Sequence, residues 1–212
     1  MRTSSVGRIT RPDVLAGGIV TAALALTAAA CGSSTPSASP TSSHHAMASH
    51  HPMAESAQFG SDCGMIPATG MGSFHGMSMD PVVTAASHNP LLTTLARELK
   101  AAGLTADLNT MHPITVFAPA NSAFTKLSTA EMTMMHSQGE LTKILKYHVV
   151  DGTITPADLA RGKPLTTLEG DTLKPAKMGA VYEVNNADVI CGNIHTANAT
   201  VYVINKVLTP MH

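Results

Sequence analysis

The 212-residue chain contains no Trp, only four Phe and three Tyr, and charged residues make up 13% of it. Thirteen Lys and Arg against fourteen Asp and Glu give a net charge of -1 and a pI near 6.8. That excludes the basic face that releases counterions from nucleic acid. Not one Lys or Arg occurs between Arg11 and Arg97, which rules out a polybasic lipid-binding segment there. G-x-S-x-G, H-E-x-x-H and any Gly-rich phosphate loop are missing, so nothing points to an enzyme or an organic cofactor. The length leaves room for about one domain plus extensions.

What is present begins with an export signal, residues 1–30. Arg2, Arg8 and Arg11 form a positive start, Val14 to Ala30 is apolar and Ala-rich, and Ala28-Ala29-Ala30 precedes Cys31. Small residues before a Cys resemble a bacterial lipobox, in which Cys31 is acylated, although Ala28 stands where that motif usually carries Leu. An ordinary A-x-A cleavage site and a short uncleaved anchor are the alternatives. Without Arg2, Arg8, Arg11 and Asp13 the remainder carries a charge of -3. If Cys31 bears lipid, Cys63 and Cys191 remain for a disulfide in an oxidising compartment. A two-thiolate metal site is the rival, though neither Cys has a second Cys at ligand spacing.

Residues 31–61 read as a flexible tether, first Ser- and Pro-rich and then His- and Met-rich, and residues 62–79 as an N-terminal extension. Five His and six Met fall within residues 44–79. His44-His45-Ala46-Met47 and His50-His51-Pro52-Met53 duplicate an H-H-x-M unit. Imidazole binds Cu(II), Ni(II) and Zn(II), whereas the soft thioether favours Cu(I). Met71, His75, Met77 and Met79 would extend this ligand set, and copper is therefore the alternative cofactor of a chain otherwise expected to carry none. The competing reading is a linker of biased composition.

The globular pattern starts at Asp80-Pro81, an N-cap and N1 pair opening a helix that Asn89-Pro90 ends. Leu91, Leu92, Leu95 and Leu99 mark a second helix that Gly103 closes. A β-rich run, Ile114 to Phe117, leads to a turn capped by Asn121, and Ser128 to Glu131 form a capping box. On the helix that follows, which also carries His136, two of Met132, Met134 and Met135 are expected in the core. Residues 139–146 look helical and run into a strand at Tyr147 to Val150, and Thr155-Pro156 opens one more turn. Short strands are expected at Leu165–Leu168, Thr172–Lys174, Ala180–Val184, Asp188–Cys191 and Thr200–Leu208. In the last, Val201 and Val203 share one face and Tyr202 and Ile204 the other. Helices first and strands later indicate an α+β domain.

Ile114 to Phe124 resembles the first signature block of fasciclin (FAS1) domains, Tyr147-His148-Val149-Val150 their central Tyr-His motif, and Thr200 to Pro210 their second block. The chain is similar within that family to the single-domain secreted and lipid-anchored antigens of mycobacteria, through Gly76 to Val82, Asn186 to Cys191 and Thr196 to Tyr202. The resemblance implies a FAS1 domain over residues 80–212, an antiparallel β-sandwich wedge with helices packed at one side, and a cysteine pair matching Cys63 and Cys191. It implies noncatalytic binding or adhesion to a protein or cell-surface ligand outside the cytoplasm. The membrane would be reached through the lipid, or the chain secreted if Cys31 is not acylated. In animal members the segment matching Tyr147 and His148, and an Asp-Ile element matching Asp188-Val189, are implicated in adhesion. An inward-facing His148 held by hydrogen bonds is the other reading.

Overall fold

The computed structural model describes residues 57–135 and 137–210. The export signal, Cys31, residues 32–56 of the expected tether, and with them His44, His45, Met47, His50, His51 and Met53, lie outside the described residues, whereas residues 57–61, expected as the end of the tether, are held in the fold, where Phe59 bridges Gly192.

Two strands form the centre because their sequences are apolar on both faces. β1 (Ile114–Pro119) and β8 (Ala199–Ile204) are buried at every position. They pair in parallel, Ile114 opposite Ala199 and Pro119 opposite Ile204. Around them run β2 (Val149–Asp151), β5 (Pro175–Met178), β6 (Val181–Val184) and β7 (Ala187–His195), in the order β2-β1-β8-β7-β6-β5. β3 (Leu165–Thr166) and β4 (Thr172–Leu173) form a separate antiparallel pair. The fold is α+β as expected, while the sheet, expected as an antiparallel sandwich, is mixed and curled with the parallel pair β1–β8 at its centre. β7 supplies the curl, since its register against β8 shifts twice, between Val189 and Cys191 and between Cys191 and Ile194.

Each face of this sheet has its own core. Ile114, Val116, Ala118, Val201 and Val203 join the helices on one side; Phe117, Tyr202 and Ile204 join Leu159, Leu173 and Val184 on the other. The alternation expected for Val201 to Ile204 therefore divides two cores, with neither face left to solvent. Phe117 and Tyr202 are fully buried, with ring centroids 5.7 Å apart. Full burial of one such side chain stabilises the fold by about 2 to 3 kcal/mol.

The helical core is built from α1 (Phe74–Met79), α2 (Val82–His88), α3 (Thr93–Ala101) and α4 (Thr105–Thr110). α3 buries Leu95, Ala96 and Leu99, as its spacing dictates, and leaves Arg97 and Lys100 exposed. α2 has Pro81 as its N-cap, and its first N–H groups are met from afar: Val82 N–H donates to Asn198 Oδ1 at 2.8 Å and Val83 N–H to Asn109 Oδ1 at 3.0 Å. Asn121 belongs to α5 (Asn121–Phe124) and does not cap it. Its Oδ1 accepts from Thr94 N–H at 2.9 Å, so it caps α3 across a tertiary contact.

Three further helices follow. α6 (Thr129–Met135) carries the expected capping box, Ser128 with Glu131, but buries none of its residues. Met132 and Met134 are exposed and only Met135 packs partway onto the core, because α6 lies on the outside of the helical layer. α7 (Gln138–Tyr147) and α8 (Pro156–Ala160) flank β2, and Thr155 with Asp158 makes the second capping box. Cys63 is bonded to Cys191, closing a sequence separation of 128. This ties residues 57–66 to β7, where Phe59 also bridges Gly192 by two backbone hydrogen bonds. Glycine is required at 192, since a Cβ would stand 2.5 Å from the Phe59 ring and 2.9 Å from that of Tyr202. Among the described residues no helix is long and apolar enough to cross a membrane.

Candidate functional site

The family motif at Tyr147 and His148 forms the end of a helix. Tyr147 is the last residue of α7 and His148 its C-cap, so the strand expected from Tyr147 begins only at Val149. The last carbonyls of a helix have no i+4 partner within it, and at the end of α7 Leu145 O accepts from the His148 N–H at 3.2 Å. The His148 ring answers another: Nδ1–H donates to Ile144 O at 2.7 Å. Nε2 accepts from Leu208 N–H at 2.9 Å, which fixes the neutral tautomer with hydrogen on Nδ1. Burial of the ring lowers its pKa from 6.5 to about 4, against the opposing pull of the Ile144 carbonyl.

Tyr147 and His148 are 1% and 2% exposed, so the expected adhesion patch at these two residues does not exist on the surface. Their polar atoms are used internally. The Tyr147 hydroxyl accepts from Asn185 Nδ2 at 2.7 Å and donates to Thr172 O at 3.3 Å, and burial raises its pKa. Asn185 Oδ1 in turn accepts from Lys174 N–H at 2.8 Å. Asp188, half-buried, exchanges three hydrogen bonds with Asn205: its N–H donates to Asn205 Oδ1 at 2.9 Å, its Oδ2 accepts from Asn205 Nδ2 at 2.6 Å and its carbonyl accepts from Asn205 N–H at 3.0 Å.

These three motif residues therefore hold two surface segments from beneath. One is the hairpin turn Asn185-Asn186 joining β6 to β7, both residues at positive φ (48° and 62°). The other is the chain after β8, with Asn205 held to Asp188, Lys206 Nζ donating to Asn186 O at 2.9 Å, and Leu208 anchored on His148. Between them, and beside the start of β5, lies an open groove of about 480 Å³ rimmed by Lys174, Glu183, Asn185, Asn186, Lys206 and Thr209. It is lined by the Lys174 and Lys206 side chains, one carboxylate and the Asn185-Asn186 turn, beside the apolar residues Pro175, Ala176, Val207 and Leu208. Sequence reasoning found Tyr147, His148 and Asp188 but missed the groove residues. The readable signal was Asn185-Asn186, a pair suited to a two-residue turn with positive φ.

The candidate metal ligands separate. Met77 is 1% exposed and its Sδ accepts from Asn89 Nδ2 at 3.2 Å, so it is a core residue and leaves the ligand set. Met71, His75 and Met79 are exposed and line one shallow groove. Among the described residues no three His, Cys, Asp or Glu side chains come together as a metal cluster.

A family model for the fasciclin domain matches residues 90–210. The chain is 43% identical over 148 residues to the immunogenic protein MPB70 of Mycobacterium bovis, covering 67% of this chain and 75% of that protein. It has the same identity to the cell surface glycolipoprotein MPB83 of that species, covering 66% of the relative. Protein sll1483 of Synechocystis is 36% identical over 132 residues, 61% of this chain and 73% of that one. Among solved structures, a FAS1 domain pair from the insect cell adhesion molecule Fasciclin I matches with a TM-score of 0.53 at 17% identity. That match covers 64% of this chain and 52% of the pair, so the chain spans about half the length of that structure.

Proposed function

The chain belongs to the fasciclin domain family, and from that premise we propose that it is a noncatalytic binding protein of the outer cell surface, which engages a protein ligand through the groove between Lys174 and Lys206. Support for the location comes from the names of relatives, a cell surface glycolipoprotein and an immunogenic protein. On this reading Cys31 carries the lipid, residues 32–56 give the domain reach, and the domain is what meets the ligand.

The observation that carries the choice of groove is the inward turn of the motif. Tyr147, His148 and Asp188 spend their hydrogen bonds on Asn185, Leu208 and Asn205 in the two walls, and Lys206 Nζ joins the walls by donating to Asn186 O. Preorganised polar groups on a rigid frame lose little conformational entropy on binding. The Lys174 and Lys206 ammonium groups favour a ligand segment that presents carboxylates. Lys174→Glu with Lys206→Glu should abolish binding of the purified chain to intact cells, by tenfold or more, while leaving the unfolding midpoint within about 0.5 kcal/mol of the parent. Undiminished binding by that variant would move the contact surface elsewhere.

A further inference from the structure

Among the described residues, six of the seven large apolar side chains left exposed are methionines, and Met65, Met71 and Met79 precede the region that the family model matches. Met71 and Met79 are 59% and 71% exposed, so neither fills a gap in the core, the usual work of a methionine. Their positions relative to α1 give them a different chemistry.

His75 and Met79 both belong to α1, four residues apart. This spacing sets imidazole and thioether on one face, roughly 40° apart around the axis, with Cβ atoms about 6 Å apart. Met71 reaches the same region through its backbone. Gly76 lies so close to the preceding turn that a Cβ there would stand 2.3 Å from Gly70 O and 2.6 Å from Met71 Cα. Only glycine at 76 allows that approach. Met71, His75 and Met79 then line one open groove together with Ser73 and Asp80, and no Lys or Arg is among its lining residues.

We propose that Met71, His75 and Met79 bind a soft monovalent cation, Cu(I), through two thioether sulfurs and one imidazole nitrogen. Neutral thioethers are poor ligands for hard or divalent ions but match Cu(I), for which low coordination by sulfur and imidazole is favourable. The Asp80 carboxylate on the rim, paired with His88 at 3.4 Å, adds negative potential without competing as a soft ligand. Binding is reversible coordination with no change in oxidation state. The site shares no residue with the groove of Lys174 and Lys206, so either can fail alone.

The test is an anaerobic titration of the full chain with Cu(I) against bathocuproine disulfonate. Met71→Leu with His75→Asn and Met79→Leu should weaken the first equivalent at least tenfold, with far-UV circular dichroism unchanged because all three side chains are exposed. Met79→Leu alone should weaken it at least threefold, which keeps the test independent of any folding defect in the triple variant. Changing His44, His45, His50 and His51 to Asn should leave this equivalent in place. Equal affinity of the parent and the triple variant overturns the site, as does a loss confined to the four-histidine variant.

Discussion

Protonation of His148 would turn Nε2 from an acceptor into a donor aimed at the Leu208 N–H. Burial holds the folded pKa at about 4, below the ordinary 6.5. A depressed folded value means that the unfolded chain takes up the proton first, so the stability held by the neutral ring is complete above pH 6.5 and lost as pH falls toward 4. At pH 4.5 the loss should reach about 2 to 3 kcal/mol relative to pH 7. Urea unfolding of the parent and of His148→Gln at both values isolates it: the variant should be less stable at pH 7 and lose less on acidification. Parallel pH dependence in the two chains would contradict a buried neutral ring. Asn198 is the second residue on which the fold turns. Its Oδ1 accepts from Val82 N–H and its Nδ2 donates to Leu108 O and Met111 O, each of the latter at 2.7 Å. Asn198→Ala should cost about 2 to 4 kcal/mol in a denaturant titration, and Asn198→Asp should not rescue it, since a carboxylate would face two carbonyls. No local pattern marks this role, because the partners lie 116, 90 and 87 residues away.

The two capping boxes are alike in sequence and differ in what they hold. Thr155 starts α8, which buries Leu159 completely, and the adjoining Ile154 carbonyl accepts from the Tyr202 hydroxyl at 2.7 Å. Ser128 starts α6, which buries nothing. Thr155→Ala should therefore lower global stability by about 1 to 2 kcal/mol. Ser128→Ala should change it by less than about 0.5 kcal/mol, while amide exchange within α6 accelerates. Equal global effects would mean that α6 is part of the cooperative core. The Ser128 box and the helix start at Thr155-Pro156 were legible because a helix start is a local event over four residues, while the closing of the second box by Asp158 was not read. β1 and β8 were legible because both of their faces are apolar, but their parallel pairing was not, since pairing joins segments distant in the chain. α1 was hidden behind the His and Met composition of its segment, and its cap, Ser73 accepting from Gly76 N–H at 3.1 Å, is the local signal that marked it. The helical expectation for Met132 and Met134 was met while their burial was not, because a helical period does not say which face, if any, meets the core.

For the molecule as a whole, the Cys63–Cys191 bond ties the N-terminal extension to β7, with Asp62 N–H donating to Ile190 O at 2.9 Å alongside it. Closing a loop of that span stabilises the fold by at most about 4 to 5 kcal/mol in the chain-entropy model. Cys63→Ala with Cys191→Ala should lower stability toward that figure, and residues 57–66 should show the earliest amide exchange; protection unchanged there would mean that the Phe59 bridge suffices alone. The candidate binding site was half legible. Motif resemblance drew attention to Tyr147, His148 and Asp188, through the adhesion role of the matching segments in animal members of the family. In the fold both rings are buried, and the exposed groove they support is lined by Lys174, Glu183, Asn185, Asn186 and Lys206, none of which was singled out as a binding residue. The central claim is that this groove meets a protein ligand at the cell surface. It is tested most directly by a photo-crosslinking side chain at Asn186, on the rim, and at Ser87, exposed on α2, in the full chain on living cells. One discrete adduct is expected from position 186, absent when Lys174 and Lys206 are changed to Glu, and none from position 87. Identical adduct patterns from the two positions, or no adduct from 186, would contradict it.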